Sequence, residues 1–377
     1  MTLNALTEAC NKSGTAIRLR ALLQPIGGPG DKIFPPTHLN GEYADETRMI
    51  PDPSGNFRPC HAVLIDSVQS QANRLEACLS SPIADNLQMP RLVLTLDGRG
   101  VTSLDAPHRV YDAFFHDAIL DGQPFRQSKL GQSLVNARVS DATALFRYAP
   151  NALLFGAWDS RSNSLQGARF SRALVSEIVA LDAEIGRRTK SRICPVGIRS
   201  TEIYKGATEP YTFDADKAEK DSRGNPLKLE VTKVGHSNIP PTIESGGVTA
   251  REIIQTAVIS LTQLRQLQFG DQEASNSART VLAALGLYAL VSQIQTGYAL
   301  RSRCQLQLAA YPHFQLLGSM PDEIKQFSLT LEDAKALLTD ALGKLPKQLA
   351  WETTPTVLQP SDRLLTLIAR SAAAAAN

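Results

Sequence analysis

No C-x-x-C pair occurs in this chain of 377 residues, and its five cysteines (Cys10, Cys60, Cys78, Cys194 and Cys304) are scattered and odd in number. Zinc-site spacing and an even disulfide framework are both missing, so reduced structural thiols of a cytoplasmic protein are expected, with no metal or cofactor. No stretch approaches the roughly 20 uninterrupted apolar residues of a membrane helix. The N-terminal MTLNALTEACNKSG carries no basic-then-apolar signal pattern. Net charge is small, +2 with a pI near 8.2, so any role with nucleic acid must rest on local patches. A G-x-S-x-G elbow, a cysteine in a catalytic context, tandem repeats and the aromatic motifs of RNA-recognition domains are all absent.

What is present suits a large globular core: 43% hydrophobic and 20% charged residues. Residues 15–24 alternate as a strand, with Ile17, Leu19 and Ala21 on one face and Arg18 and Arg20 on the other. Residues 62–79 read as a helix with Leu64, Val68, Ala72, Leu75 and Leu79 on one stripe. Ser67, Ser70, Gln71 and Arg74 flank that stripe. Strands are expected at 91–96, 151–160, 193–200 and 298–310, and helices at 105–148, 170–185, 250–268 and 277–295. The helix at 277–295 is apolar nearly all round and therefore central. Thr330 and Asp333 open a further helix with a capping box. Residues 205–247, polar and broken by Gly and Pro, read as an excursion with one strand-like run at 227–234. Few strands with long inserts favour an α+β fold around an antiparallel sheet.

Three constellations bear on chemistry. The first strand runs into a loop with Gly27, Gly28, Gly30 and Lys32. A nucleotide-hydrolysing loop requires Gly-Lys-Ser/Thr and a helix after it. Here Asp31 precedes the lysine and Pro35–Pro36 block a helix, so a loop that follows a phosphate backbone is the better reading. His108, His116 and Asp117 are the only sketch of a metal site, and no suitable downstream partners accompany them. Basic residues, by contrast, recur on expected strand faces: Arg18 with Arg20, Arg301 with Arg303, and Arg187, Arg188, Lys190 and Arg192 ahead of Arg199. Arginine suits bidentate phosphate recognition.

The segments FPPTHLNGEY, VLIDSVQSQANRLEACL and SLDAPHRVYDAFF, within a stretch from about residue 15 to 295, resemble the backbone subunits of type I-G (formerly I-U) CRISPR surveillance complexes, members of the RAMP superfamily. The resemblance implies a modified RNA-recognition (ferredoxin-like) palm at 15–79, 151–204 and 248–310. It also implies helical fingers at 80–150, a hairpin thumb at 205–247 and a helical extension at 311–377. It further implies a non-catalytic subunit of a Cascade complex, stacked head-to-tail along a CRISPR RNA. The subunit would present that guide to a target DNA strand beside large, small and RNA-processing subunits. The candidate RNA-binding residues are Arg18, Arg20, Gln24, Lys32, Ser70, Gln71, Arg74, His108, Arg109, Arg187, Arg188 and Lys190. Two alternatives stand beside this one: a RAMP-type endoribonuclease built on His38 or Asp31, and a metal-dependent phosphohydrolase.

Overall fold

A computed structural model describes all residues except 53, 81–86, 97, 161–166, 199–200, 237 and 377. A short helix, α1 (Leu3–Glu8), precedes β1 (Ala16–Pro25), which is followed by β2 (Asp45–Pro51), β3 (Phe57–Asp66) and α2 (Val68–Ser80). The middle of the chain is built from short pieces: β4 (Leu92–Leu96), β5 (Arg99–Thr102), α3 (Ala113–His116), β6 (Ala118–Leu120) and β7 (Gln123–Pro124). Next come α4 (Lys129–Val135), α5 (Thr143–Tyr148), α6 (Pro150–Phe155), β8 (Ala157–Trp158) and β9 (Arg169–Phe170). Two long strands, β10 (Leu174–Arg192) and β13 (Ile239–Ser260), are joined through the two-residue strands β11 (Ile203–Tyr204) and β12 (Lys228–Leu229). Then follow α7 (Leu261–Gln266), α8 (Gln272–Thr296), β14 (Tyr298–Arg301), β15 (Cys304–Leu308), β16 (Phe314–Leu317) and β17 (Ile324–Phe327). The last elements are α9 (Leu331–Gly343), β18 (Thr356–Pro360) and α10 (Asp362–Ala376).

The architecture is α+β. A nine-stranded antiparallel sheet runs β14-β15-β1-β13-β10-β3-β2, with β16 also on β1 and β17 on β16. One face carries Ile17, Leu19, Ala21, Ile178, Ala257 and Ile259 into the core beneath α2 and α8. α8 is long and apolar enough to meet the length and hydropathy of a membrane span, and 89% of the 18-residue window that does so is buried inside the protein, as in the core helix of a globular fold. The other face holds a smaller buried apolar patch of Cys60, Ala62, Val179, Leu181 and Ile254. A second sheet, β5-β4-β18-β6-β7, unites the middle of the chain with its C-terminal part through the parallel β4–β18 pair. The region expected as helical fingers, with a strand at 91–96, keeps that strand as β4 within a small mixed unit, and the C-terminal extension supplies strands as well as helices.

Burial of both faces over residues 178–181 and at Ile253 and Ile254 explains part of the largest departure from expectation. Residues 170–185 and 250–260 form β10 and β13, not helices. A strand covered on both sides shows near-continuous apolar character instead of alternation. Here, moreover, the core-facing positions include the buried polar residues Ser176 and Gln255, which broke the period of two. Residues 57–66 likewise extend as β3 before α2 begins at Val68. Residues 150–155 are helical and only 157–158 form a strand there. Among residues 227–234 only Lys228–Leu229 pair. Residues 193–198 form no strand, and Arg199 lies outside the described residues. The segment 105–148 breaks into one-turn to two-turn helices and short strands. At 298–310 a tight hairpin replaces one long strand, with Arg303 in its turn at φ +59°. The helix at 272–296 and the Thr330–Asp333 capping box match expectation.

Between sheet and helices lies a connected polar network. Gln255 Nε2 donates to Gln293 Oε1 (2.8 Å) and reaches Gln71 Oε1 (3.0 Å) and Ser176 Oγ (3.1 Å), while Tyr298 Oη donates to Gln255 Oε1 (2.7 Å). Gln71 Nε2 donates to the buried Asp66 carboxylate (2.6 Å), which also receives Arg74 Nε (2.9 Å). Each member is satisfied, which is the condition for tolerating buried polarity. A buried ion pair ties α2 to the middle unit. Arg109 Nε and Nη2 each lie 2.7 Å from the two Glu76 carboxylate oxygens, and Asn151 Nδ2 donates to the same carboxylate at 2.7 Å.

Two outcomes test these packing assignments. Arg109→Ala strands the buried Glu76 carboxylate and is expected to cost about 3–5 kcal/mol in denaturant unfolding. Arg109→Met with Glu76→Leu should recover much of that loss, and no recovery would contradict the pairing. His61 on β3 places Nδ1 2.7 Å from the Ala183 carbonyl oxygen of β10 and Nε2 3.0 Å from the Asp45 carboxylate of β2. Only the imidazolium donates to both. The Asp45 hydrogen bond, followed by that to Ala183, accordingly holds its pKa above the usual 6.5. A raised folded pKa means this stabilisation is complete below the ordinary histidine value and lost as pH rises through the raised one. His61→Gln should flatten that part of the pH–stability curve; an NMR titration of His61 at or below its ordinary value would count against the arrangement.

Candidate functional site

The paired β10 and β13 leave the body of the protein as a ribbon. Nineteen residues of β10 span about 60 Å at ~3.3 Å per residue. Its first half is buried, whereas Arg187–Arg192 and the facing Ile239–Ile243 are exposed on both sides. The root of this arm is marked by a register shift between Ile185 and Arg187 and by Gly186, Gly246 and Gly247.

The loop after β1 docks against that root. Gly28 (φ +103°) and Gly30 (φ +81°) shape two turns, closed by Gly28 N donating to Pro25 O and Asp31 N to Gly28 O. Asp31 is exposed, and its Oδ1 accepts from Lys32 N (2.8 Å). Beyond the turns the loop is fastened on two sides. Ile33 exchanges backbone hydrogen bonds with Val248 of β13, and Phe34 N donates to Arg303 O of the β14–β15 turn. Arg301 Nη1 holds Pro35 O at 3.1 Å, and Tyr43 Oη accepts from Gly247 N at 2.8 Å. Lys32 lies across the glycines. A Cβ on Gly186 would sit 2.7 Å from its Nζ, and one on Gly247 would sit 2.6 Å from its Cγ. The loop is thus a docked element rather than a flexible one.

A cationic cluster converges on one aromatic ring. The Arg303 guanidinium carbon is 4.0 Å from the Phe34 ring centroid, and that of Arg188 is 5.7 Å away. Arg188 and Lys190 share Glu244, at 3.1 and 3.7 Å. Lys32, Arg187 and Arg303 have no ion-pair partner among the described residues. Three segments far apart in the chain thereby present cations, with the carboxylates of Glu244 and Asp31 beside them. Such an array can grip phosphates and a ring face.

The other expected residues lie elsewhere. Gln24, paired across from Gln307, leads into the loop. Arg18 and Arg20 stand on the opposite face of β1 from the helices, Arg18 Nε donating to Gln315 Oε1 (2.9 Å) and Arg20 exposed. Arg20 faces Thr256, about 30 Å of strand from Gly247. Ser70 is half-buried on the first turn of α2. Gln71 (0% exposed) and Arg109 (6%) do not fit the expectation of an RNA-facing surface, because both are enclosed by the partners given above. Arg74 is likewise committed to Asp66 and to Leu300 O (2.7 Å). His108 is exposed and lines a different cleft. His116 lies 2.8 Å from Arg126 Nη1, an unfavourable neighbour for a metal, and Asp117 faces Arg363. His38 is exposed, and only its backbone is bonded there. Phe34 opens FPPTHLNGEY, one of the segments that bear the resemblance, but is not among the candidate RNA-binding residues. Arg303 is signalled by the basic character of 298–310.

Residues 17–185 match the family described as CRISPR-associated protein GSU0053, and this similarity indicates a CRISPR-associated protein. The matched stretch ends one residue short of Gly186, where the arm begins. No curated protein matches the chain.

The seating of Lys32 on the glycines has a direct consequence. Gly247 has φ +87°, and a Cβ there would also meet Ile33 O at 2.9 Å. Gly247→Ala should lower stability by about 1–2 kcal/mol through the left-handed backbone, and by more if Lys32 cannot yield. Gly343→Ala, where a Cβ meets nothing within 4 Å, is the control and should be neutral or better in thermal denaturation.

Proposed function

We propose that this chain is a non-catalytic, guide-binding backbone subunit of a type I-G CRISPR surveillance complex. In this reading it works in the cytoplasm and stacks head-to-tail along the CRISPR RNA. It holds the guide by its phosphates and leaves the bases free to pair with a target DNA strand. The central sheet with α2 and α8 is the palm, the unit around β4–β7 the fingers, and the ribbon with residues 193–238 the thumb. Large, small and RNA-processing subunits complete the assembly.

One observation carries the reading: Arg188 and Arg303 converge on Phe34 beside Lys32, which lies against Gly186 and Gly247, at the root of a long projecting arm on which Arg187 is also exposed. A subunit that must accept any guide sequence cannot recognise base edges, so it needs to hold phosphates, sugars and helical shape. The small net charge is compatible with this, since each copy neutralises only a few phosphates and the filament multiplies them. Heterologous head-to-tail packing generates open helical arrays of the kind required.

Expression with a CRISPR array and the partner subunits should yield a co-purifying RNA of defined, protected length. Turnover of RNA by the isolated chain would sink the non-catalytic reading. Arg187→Ala combined with Arg188→Ala should weaken RNA retention equally for unrelated spacers. It should also reduce the slope of log K against log salt by about 0.7 for every phosphate the variant no longer neutralises. A loss that depends on spacer sequence would contradict a grip on the backbone alone.

A further inference from the structure

At the far end of β10 from the arm, about 45 Å of strand from Arg187, lies a cleft of about 500 Å³. Its walls include Gln69, Asn73, His108, Trp158, Arg169 and Arg172. The indole of Trp158 is 60% exposed, unusual for so large an apolar ring. The β8–β9 pairing sets Trp158 opposite Arg169, whose guanidinium carbon is 5.9 Å from the indole centroid. Arg172 is positioned by a glycine. Its stem crosses Gly156 (φ +84°), where a Cβ would come within 2.9 Å of Arg172 Cγ. Gly156 is itself fixed from below by Arg109 Nη1, which donates to its carbonyl at 3.1 Å. The charge of Arg109 is balanced by Glu76. Among the described residues, Arg169 and Arg172 have no ion-pair partner and no carboxylate lines the cleft.

A purely apolar ligand would gain nothing from two unpaired guanidiniums. A simple carboxylate or phosphate would gain nothing from an open indole face. One ligand class uses both, together with the amides of Gln69 and Asn73 and the imidazole of His108. We propose that this cleft seats a single unstacked nucleotide of a single-stranded nucleic acid. The base lies on Trp158, the phosphate lies between Arg169 and Arg172, and the base edge faces Gln69, Asn73 and His108. The inference rests on the nucleic-acid-binding reading above and adds to it a second grip at the opposite end of the same strand. Base–aromatic stacking tolerates any sequence, because every base has a π face.

The chain has two tryptophans, so Trp351→Phe leaves Trp158 as the only reporter. The full-length variant is titrated with hexauridylate, with hexathymidylate and with inorganic phosphate while indole fluorescence is followed. Quenching by either oligonucleotide, at concentrations where phosphate has no effect, supports the assignment, and the tighter of the two names the strand. Arg172→Ala should weaken that binding about tenfold, and in filter binding Trp158→Ala should weaken RNA about tenfold with most of it restored by Trp158→Phe. Absence of quenching by both oligonucleotides, while binding that depends on Arg187 and Arg188 persists, overturns the cleft and leaves the backbone reading intact. Quenching that persists while Arg187→Ala with Arg188→Ala changes nothing overturns the arm reading and leaves the cleft. Equal quenching by phosphate alone reduces the cleft to an anion site and overturns the nucleotide assignment.

Discussion

The antiparallel pairing of β10 with β13 is the constraint on which the rest of the molecule depends. Its first half is the centre of the main sheet: β1 and β3 are hung on it, and α2 and α8 are packed against it. Its second half is the arm. The same ladder therefore serves as core and as projection, and the change of role occurs within a few residues at Gly186, Gly246 and Gly247. Glycine is needed there because Lys32 and the opposing backbone come closer than any Cβ permits. Flexibility is the lesser part of the explanation; the greater part is that the basic loop docks by lying on bare backbone.

Several of the arginines visible in the sequence do structural work. Arg109 with Glu76, Arg74 with Asp66 and Arg126 with Asp159 fasten buried seams. Arg48 with Glu177 and Arg58 with Asp182 brace the outer face of the sheet; the Arg58 hydrogen bonds hold the Asp182 carboxyl down at about 2. Among the basic residues without an acidic partner in the described structure, Lys32, Arg187 and Arg303 lie at the root of the arm and Arg169 and Arg172 beside Trp158. The small net charge thus does not preclude local positive patches.

Several features were legible from sequence. Strand β1, the buried helix α8 and the capping box of α9 each carry a clean local signal, either a period or a cap. The paired strands β10 and β13 do not. Leu174, Ile178 and Leu181 stand at spacings that a helix would also produce, and both faces of the strand are buried over residues 178–181. The β-branched content (Val175, Ile178 and Val179 in β10, with Ile253, Ile254, Val258 and Ile259 in β13) was the clue that favoured strands. The buried Ser176 and Gln255 masked the alternation that would have confirmed it.

The α+β class, the central helix, the glycine–lysine loop and the presence of basic clusters can all be read along the chain, because each depends on residues close together in it. Which cations are available cannot be read that way and follows from the folded arrangement. Burial and pairing are properties of neighbours brought together across long stretches of chain, as when Arg303 reaches Phe34 or Glu76 encloses Arg109. No local pattern distinguishes an arginine that closes a buried seam from one that faces solvent. The difference lies in the desolvation and partner geometry that the fold imposes.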